Sequence, residues 1–370
     1  MSGTVKSKRN ANIELLRILS IFIIIFNHYA AYGGFEYDNP LSFNAFIIEF
    51  LHLGGKIGVD IFIFISGWFM SRSKNFNVRR IVKLCLQVLF YSIILAVAGR
   101  LLGTLSNSDT IRMLLAIPAG NWIFITSYFM LCCLSPIINI IINNISKKQY
   151  FTLLVFLAFT WMCVPTVLPI DFDMSNTSWY IFIYMLAGFL HKYEDDIDHK
   201  PRKLFALSFI SLILIIISEI ILEILGVYVA DVFGEHAEHF RNMNSIFVVI
   251  NAVSLFLGVS QLKPKSSNII PKIASTSLAI FVLHDNRALR PKIWTEWFHT
   301  TKFASSHYLI LHALATAITI FIIGMTIDLI RQATIEKWAL KIVFPIVDKI
   351  ENNYNRFLSS KIERGKKENE

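Results

Sequence analysis

Apolar stretches of roughly 17 to 25 residues recur from residue 13 to residue 331, with only short polar gaps between them. At 1.5 Å rise per residue, about 20 such residues cross the hydrocarbon core of a bilayer as a helix. The pattern predicts membrane helices near 13–33, 44–71, 80–103, 121–143, 150–170, 177–192, 204–225, 244–262, 273–290 and 308–331. The expected fold class is all-α: a polytopic transmembrane helical bundle of about ten membrane helices, forming one domain over residues 1–332. Residues 333–370 read as a cytoplasmic amphipathic helix and basic tail. There Ile335, Trp338, Ile342, Ile346 and Ile350 recur at helical spacing beside Lys337, Lys341 and Lys349, the pattern of a helix lying on a bilayer surface.

Composition agrees with lipid as the solvent, because 55% of the 370 residues are hydrophobic and only 16% are charged, against about 25% in soluble proteins. The net charge of +9 does not point to nucleic acid, since the Lys and Arg residues sit in the gaps between apolar stretches. Their distribution predicts orientation instead. With a cytoplasmic amino terminus, 26 of them fall on inner segments, including Lys6, Lys8, Arg9, Lys74, Arg79 and Arg80, and 8 on outer ones; Arg17 lies within the first helix. An even helix count then places both termini in the cytoplasm of a multi-pass cell-membrane protein. The basic amino terminus leads into an apolar run without a small-residue cleavage pattern, so a retained first helix is expected. Cys85, Cys132, Cys133 and Cys163 lie inside apolar stretches without CxxC spacing and read as packing residues.

Some residues are too polar for their place. An ionisable side chain within a membrane helix costs at least about 2.5 kcal/mol on insertion scales and is a functional candidate by default. The first helix carries Glu14, Arg17 and His28. Arg17 and His28 are separated by about 1100° of helical rotation and about 16 Å of rise, so they share one face. Glu14 stands three residues before Arg17, where it can pair with it. The competing reading has Glu14 and Arg17 snorkelling to headgroups and His28 bonding a neighbouring helix. Asp60 of the second helix falls at about the depth of His28, and a carboxylate there is expected to orient the imidazole, as in hydrolase triads.

Arg17, ten residues and His28, followed by Val59 to Phe69 (VDIFIFISGWF), resemble the acyltransferase family 3 proteins. Looser matches are Asn121-Trp122 with Ser135-Pro136, Trp179 to Leu190, and Ser277 to His284. They span residues 12 to 284, in the order of the predicted helices. Glu14 stands where many relatives carry Asp, and Trp68 where Phe is commoner. The resemblance implies transfer of an acyl group, commonly acetyl from acetyl-CoA, to a hydroxyl of a carbohydrate or lipid-linked glycan at the outer face.

The expected roles follow. His28 is the candidate general base, with imidazole suited to take a proton near neutral pH; a covalent acyl-histidine is the alternative. Asp60 and His284 complete the catalytic set, His284 as a second catalytic or acceptor-binding histidine or a helix-end hydrogen bonder. Arg17, Arg79 and Arg80 are the candidate donor-binding residues, since guanidinium forks suit CoA phosphates. Ser66 and Gly67 read as permitting a close helix approach or a break in the second helix rather than as supplying a nucleophile. His236 and His239 have a spacing that can place two imidazoles on one metal, but no third ligand pattern accompanies them, so no metal is expected. Tyr228, Phe233, Trp294, Trp297 and Phe298 are candidates for stacking on sugar rings or for interfacial anchoring. The rival class is a transporter or flippase, which inverted repeats would favour; none is apparent.

Overall fold

The computed structural model describes residues 10–37, 39–72, 78–168, 172, 174–196 and 200–367. Lys6, Lys8, Arg9 and Lys74 of the charge pattern lie outside the described residues. All ten predicted stretches are helical, and no strand occurs among the described residues. In chain order the helices are α1 (Ala11–Tyr32), α2 (Phe43–Met70), α3 (Val78–Leu101), α4 (Asn107–Leu114), α5 (Ile123–Asn144), α6 (Lys147–Ala158) and α7 (Val164–Val167). They continue with α8 (Asn176–Lys192), α9 (Pro201–Tyr228), α10 (Asp231–Glu235), α11 (Ile246–Ser260), α12 (Ile270–Ala274), α13 (Ser277–His284), α14 (Leu309–Arg331) and α15 (Lys337–Lys367). Seven helical segments are long and apolar enough to cross a membrane; α2, α8 and the broken α12–α13 make up the ten predicted stretches.

The loops gather at two ends. At one, the Ala11 amide donates to Lys265 O (2.9 Å), Arg72 donates to His191 O (2.9 Å), and Lys192 to Ile142 O (2.9 Å). At the other, Thr300 donates to Gly33 O (2.6 Å), Asn44 to Ala304 O (2.8 Å), and Arg241 meets Glu49. These ends are called the Arg17 end and the His28 end. Side-chain caps fix several starts: Asn10 Oδ1 accepts from the Asn12 amide, and Ser42 Oγ from the Ala45 amide, as orphan N–H groups require.

The centre is built on α1 against α2. Gly54 and Gly58 form a small-residue seam, and a Cβ at Gly58 would come within 2.8 Å of Ser20 O and 2.9 Å of Ile24 Cγ1. Without a hydrophobic drive between helices in lipid, such close backbone approach supplies the attraction. Gly67 does the same against α8, as expected: a Cβ there would lie 2.9 Å from Tyr184 Cα and Ala187 Cβ. Two apolar cores flank this pair, one including Phe64, Trp68, Trp179 and Phe256, the other Ile25, Tyr91, Phe281 and Trp294. Phe124 of α5 packs against both.

Several boundaries differ from the pattern-based reading. The expected 273–290 helix is two short pieces, with a turn at Ser275–Thr276, and ends at His284. The gaps at 104–120 and 229–243 contain α4, α10 and a 3-10 turn over Ala237–Arg241, pieces too short for periodicity to register. A π turn over Gln332–Glu336 joins α14 directly to α15, so no break separates 332 from 333. Ile335, Trp338, Ile342, Ile346 and Ile350 are all exposed, so the apolar stripe faces away from the bundle.

Candidate active site

His28, one turn before the end of α1, meets His284, the last residue of α13: Nδ1 of His28 is 2.9 Å from Nε2 of His284. Both rings are buried. The breaks around α13 bring His284 here, because α13 ends where α1 carries His28, and Ile280 O is left facing the imidazole. His284 Nδ1 donates to that carbonyl at 2.6 Å. A carbonyl only accepts, so the Nδ1 of His284 carries the proton and the neutral ring presents a lone pair at Nε2. His28 Nδ1–H then donates to it. By elimination, neutral His28 has its lone pair on Nε2, the atom turned away from His284. Two ordered hydrogen bonds thus fix the tautomer, the service that a carboxylate performs in a hydrolase triad.

Beyond Nε2 lie charged groups that reading the sequence did not single out. Asp285 Oδ2 is 4.0 Å from it, too far for a hydrogen bond. Asp285 Oδ1 accepts from Arg290 Nη2. The Arg290 guanidinium lies 4.0 Å over the Tyr32 ring, which in turn is 5.2 Å from the His28 ring. The signal was present: Asp285 directly follows His284, and Tyr32 is one helical turn after His28.

The expected partnership of Asp60 with His28 is not formed. Asp60 is buried, but its Oδ1 accepts from Trp179 Nε1 at 2.9 Å, and Oδ2 has no hydrogen-bond partner. Equal depth does not imply equal azimuth: Asp60 projects from α2 toward α8. The sequence offered no means to see that Trp179 would face it.

At the Arg17 end, Arg17 Nη1 donates to Glu14 Oε2 at 2.7 Å, as the spacing predicted. Its guanidinium lies 6.0 Å from the Phe62 ring centroid. Ser66 Oγ is 3.2 Å from Tyr128 OH. Nε and Nη2 of Arg79 form a fork on Asp348 at 2.8 and 2.5 Å, and Phe344 stacks below at 5.1 Å. The fork expected for donor phosphate instead ties α3 to α15.

The remaining candidates are dispersed. His236 Nδ1 donates to Val232 O and His239 Nε2 to Thr166 O, so the two imidazoles do not converge. Glu49, His52 and Glu238 are close enough to share an ion, but the buried Arg241 guanidinium stands among them, bonded to Glu49, Glu219, Glu238 and His52. Trp294 is fully buried, edge-on to Tyr29 and His284, and so cannot stack on a sugar. Tyr228 and Trp297 are exposed.

No curated protein and no solved structure matches the chain. A family model described as an acyltransferase domain, that of acyltransferase family 3, matches residues 10–330. It covers α1 through almost all of α14, including the paired histidines, and the chain belongs to this family of membrane acyltransferases.

Proposed function

We propose that this acyltransferase moves an acyl group, commonly acetyl, from cytoplasmic acyl-CoA to a hydroxyl of a cell-surface carbohydrate or its lipid-linked precursor. The observation that carries the reading is the His28–His284 pair, which leaves a lone pair on one defined atom, His28 Nε2. The acceptor hydroxyl gives its proton to Nε2 while its oxygen attacks the thioester carbonyl carbon. The C–S bond then breaks, and the CoA thiolate takes the proton back from the imidazolium. His284 accepts from His28 Nδ1–H throughout and steadies the cation. The alternative is a covalent route with a different set of bonds: Nε2 forms a C–N bond to the acyl carbon as the C–S bond breaks and thiolate leaves, and the hydroxyl oxygen then forms the ester as that C–N bond breaks, its proton passing to the released Nε2.

Arg17 and Arg80 suit the polar part of the donor, since guanidinium forks match phosphate oxygens. Arg17 and His28 stand about 16 Å apart along α1 at 1.5 Å per residue, a length that an extended pantetheine arm can cover. The distribution of basic residues supports placing the Arg17 end in the cytoplasm.

The test is transfer of labelled acetyl from acetyl-CoA in proteoliposomes offered extracted surface glycan. His28→Ala should lower turnover per folded molecule about 10²- to 10⁴-fold, the usual contribution of a general base. Near-normal turnover in that variant would end the mechanism.

A further inference from the structure

Asp285 and Arg290 have no part in the transfer as written, yet they are the charged pair next to its basic atom. Asp285 Oδ2 lies 4.0 Å from His28 Nε2, and its carboxylate is largely buried, with 14% of the side chain exposed. Nothing in the fold requires a carboxylate there. Asp285 is the C-cap of α13, but it caps through its backbone N–H, which donates to Phe281 O at 2.9 Å, a bond any residue but proline could make; its side chain is bonded to Arg290, five residues on. The partly exposed Arg290 in turn lies with its guanidinium 4.0 Å over the Tyr32 ring. His28 is thus followed by a chain of near contacts through Asp285, Arg290 and Tyr32 on its Nε2 side.

We infer that Asp285 is a positioning residue for the transfer: it stabilises the imidazolium that forms when the acceptor proton reaches His28 Nε2, and Arg290 holds its carboxylate and offsets part of its charge. The inference rests on the base role proposed for His28. At 4.0 Å the carboxylate does not bond to Nε2 in the resting state, so the lone pair stays open to a hydroxyl. Once Nε2 carries a proton, an anion at this separation favours the charged ring. His284 cannot do this alone, because it contributes a neutral acceptor at the opposite nitrogen. Burial makes the unpaired cation costly, and Asp285 is the carboxylate whose oxygen comes within 4.0 Å of either His28 nitrogen among the described residues. The other charges acting on the ring are Arg290 from the loop after α13 and Lys56 from α2; with Tyr32 of α1 and His284 these are the titratable groups facing it.

The sign of the effect is opposite for the two partners. The ratio kcat/KM falls at low pH as Nε2 becomes protonated before substrate arrives. Removing the anion makes that protonation harder, and removing the neighbouring cation makes it easier. Asp285→Asn should therefore move the acidic limb of the kcat/KM profile, which reports the free enzyme, to lower pH by about one pH unit, and lower the kcat plateau with little change in acceptor KM there. Arg290→Gln should move the same limb to higher pH, and Asp285→Glu should retain most of the wild-type profile.

The measurement is the pH dependence of kcat and KM for acetyl transfer in proteoliposomes, normalised to folded protein. A residue with only a structural role would change yield and leave the limb in place. Limbs unmoved in both variants, or moved in the same direction, overturn the inference, and should Asp285→Asn not accumulate folded, the direction of Arg290→Gln decides it. His28→Ala run in parallel separates the two claims: if it is active, the base role itself fails; if it is inactive while the limbs stay put, only the role of Asp285 and Arg290 is lost.

Discussion

The arrangement at His28 makes a forecast for His284 that ordinary packing would not. His284 accepts a hydrogen bond from His28 Nδ1–H at 2.9 Å and is itself locked by Ile280 O at 2.6 Å. Replacing it with Ala removes the acceptor, leaves a buried N–H without a partner and frees the proton of His28 to move to the catalytic nitrogen. A hydrogen bond to a charged group is worth about 1.5–3 kcal/mol, and the bond matters most when His28 is cationic. At about 1.4 kcal/mol per tenfold, His284→Ala should lower kcat by about 10- to 150-fold with acceptor and donor KM nearly unchanged. His284→Gln separates acceptor chemistry from bulk, because its amide oxygen can still receive the Nδ1 proton. It should retain more activity than His284→Ala. In the double variant with His28→Ala the losses should not add, since orienting an absent base gains nothing. The assay is single-turnover acetyl transfer normalised to folded protein. Equal loss in Ala and Gln, or additive losses in the double variant, would refute the tautomer chain and leave His284 as packing.

The donor arginines should behave differently from one another. Arg17→Gln and Arg80→Gln are expected to raise the acetyl-CoA KM more than they lower kcat, whereas Arg79→Gln should leave donor KM near wild type, because its fork is already on Asp348; equal KM effects in all three would put Arg79 back at the donor. At the α2–α8 contact, Gly67→Ala should destabilise by about 1–3 kcal/mol through overpacking, seen as a lower midpoint in thermal unfolding in detergent. An unchanged midpoint would mean that α8 yields there at little cost.

The helices were legible in the sequence because lipid forces every spanning backbone to bond within itself, so a run of apolar residues is nearly a statement of structure. Glu14 with Arg17 was legible for the same reason: three residues along one helix is a fixed geometry. What could not be read was azimuth between helices. Asp60 and His28 were matched in depth, but α2 turns Asp60 toward Trp179 of α8, and no spacing within α2 encodes that rotation. His284 was legible as a candidate and not as a partner, because its place depends on the interruption between α12 and α13. Arg79 was misread through context: beside Arg80 in a basic segment it looks like one of a pair, and its acidic partner Asp348 is in the segment read as a separate amphipathic helix.

This difference between depth and azimuth bears on how the site is divided. Along α1, Arg17 and His28 share a face, and that face meets different neighbours at each end: Phe62 at the Arg17 end, and His284 with Asp285 at the other. Asp60, on the adjoining helix, is excluded from both groups, and its carboxylate is spent on a tryptophan N–H. An acyl donor entering beside Arg17 and an acceptor entering beside His28 would therefore approach one helical face from opposite ends. Because Arg17 and His28 lie on the one continuous helix α1, the distance between those ends is set by its rise per residue and not by loops. If the donor and acceptor start on opposite sides of the bilayer, as proposed, that rigid spacing sets the geometry in which the thioester carbon and the hydroxyl oxygen can meet.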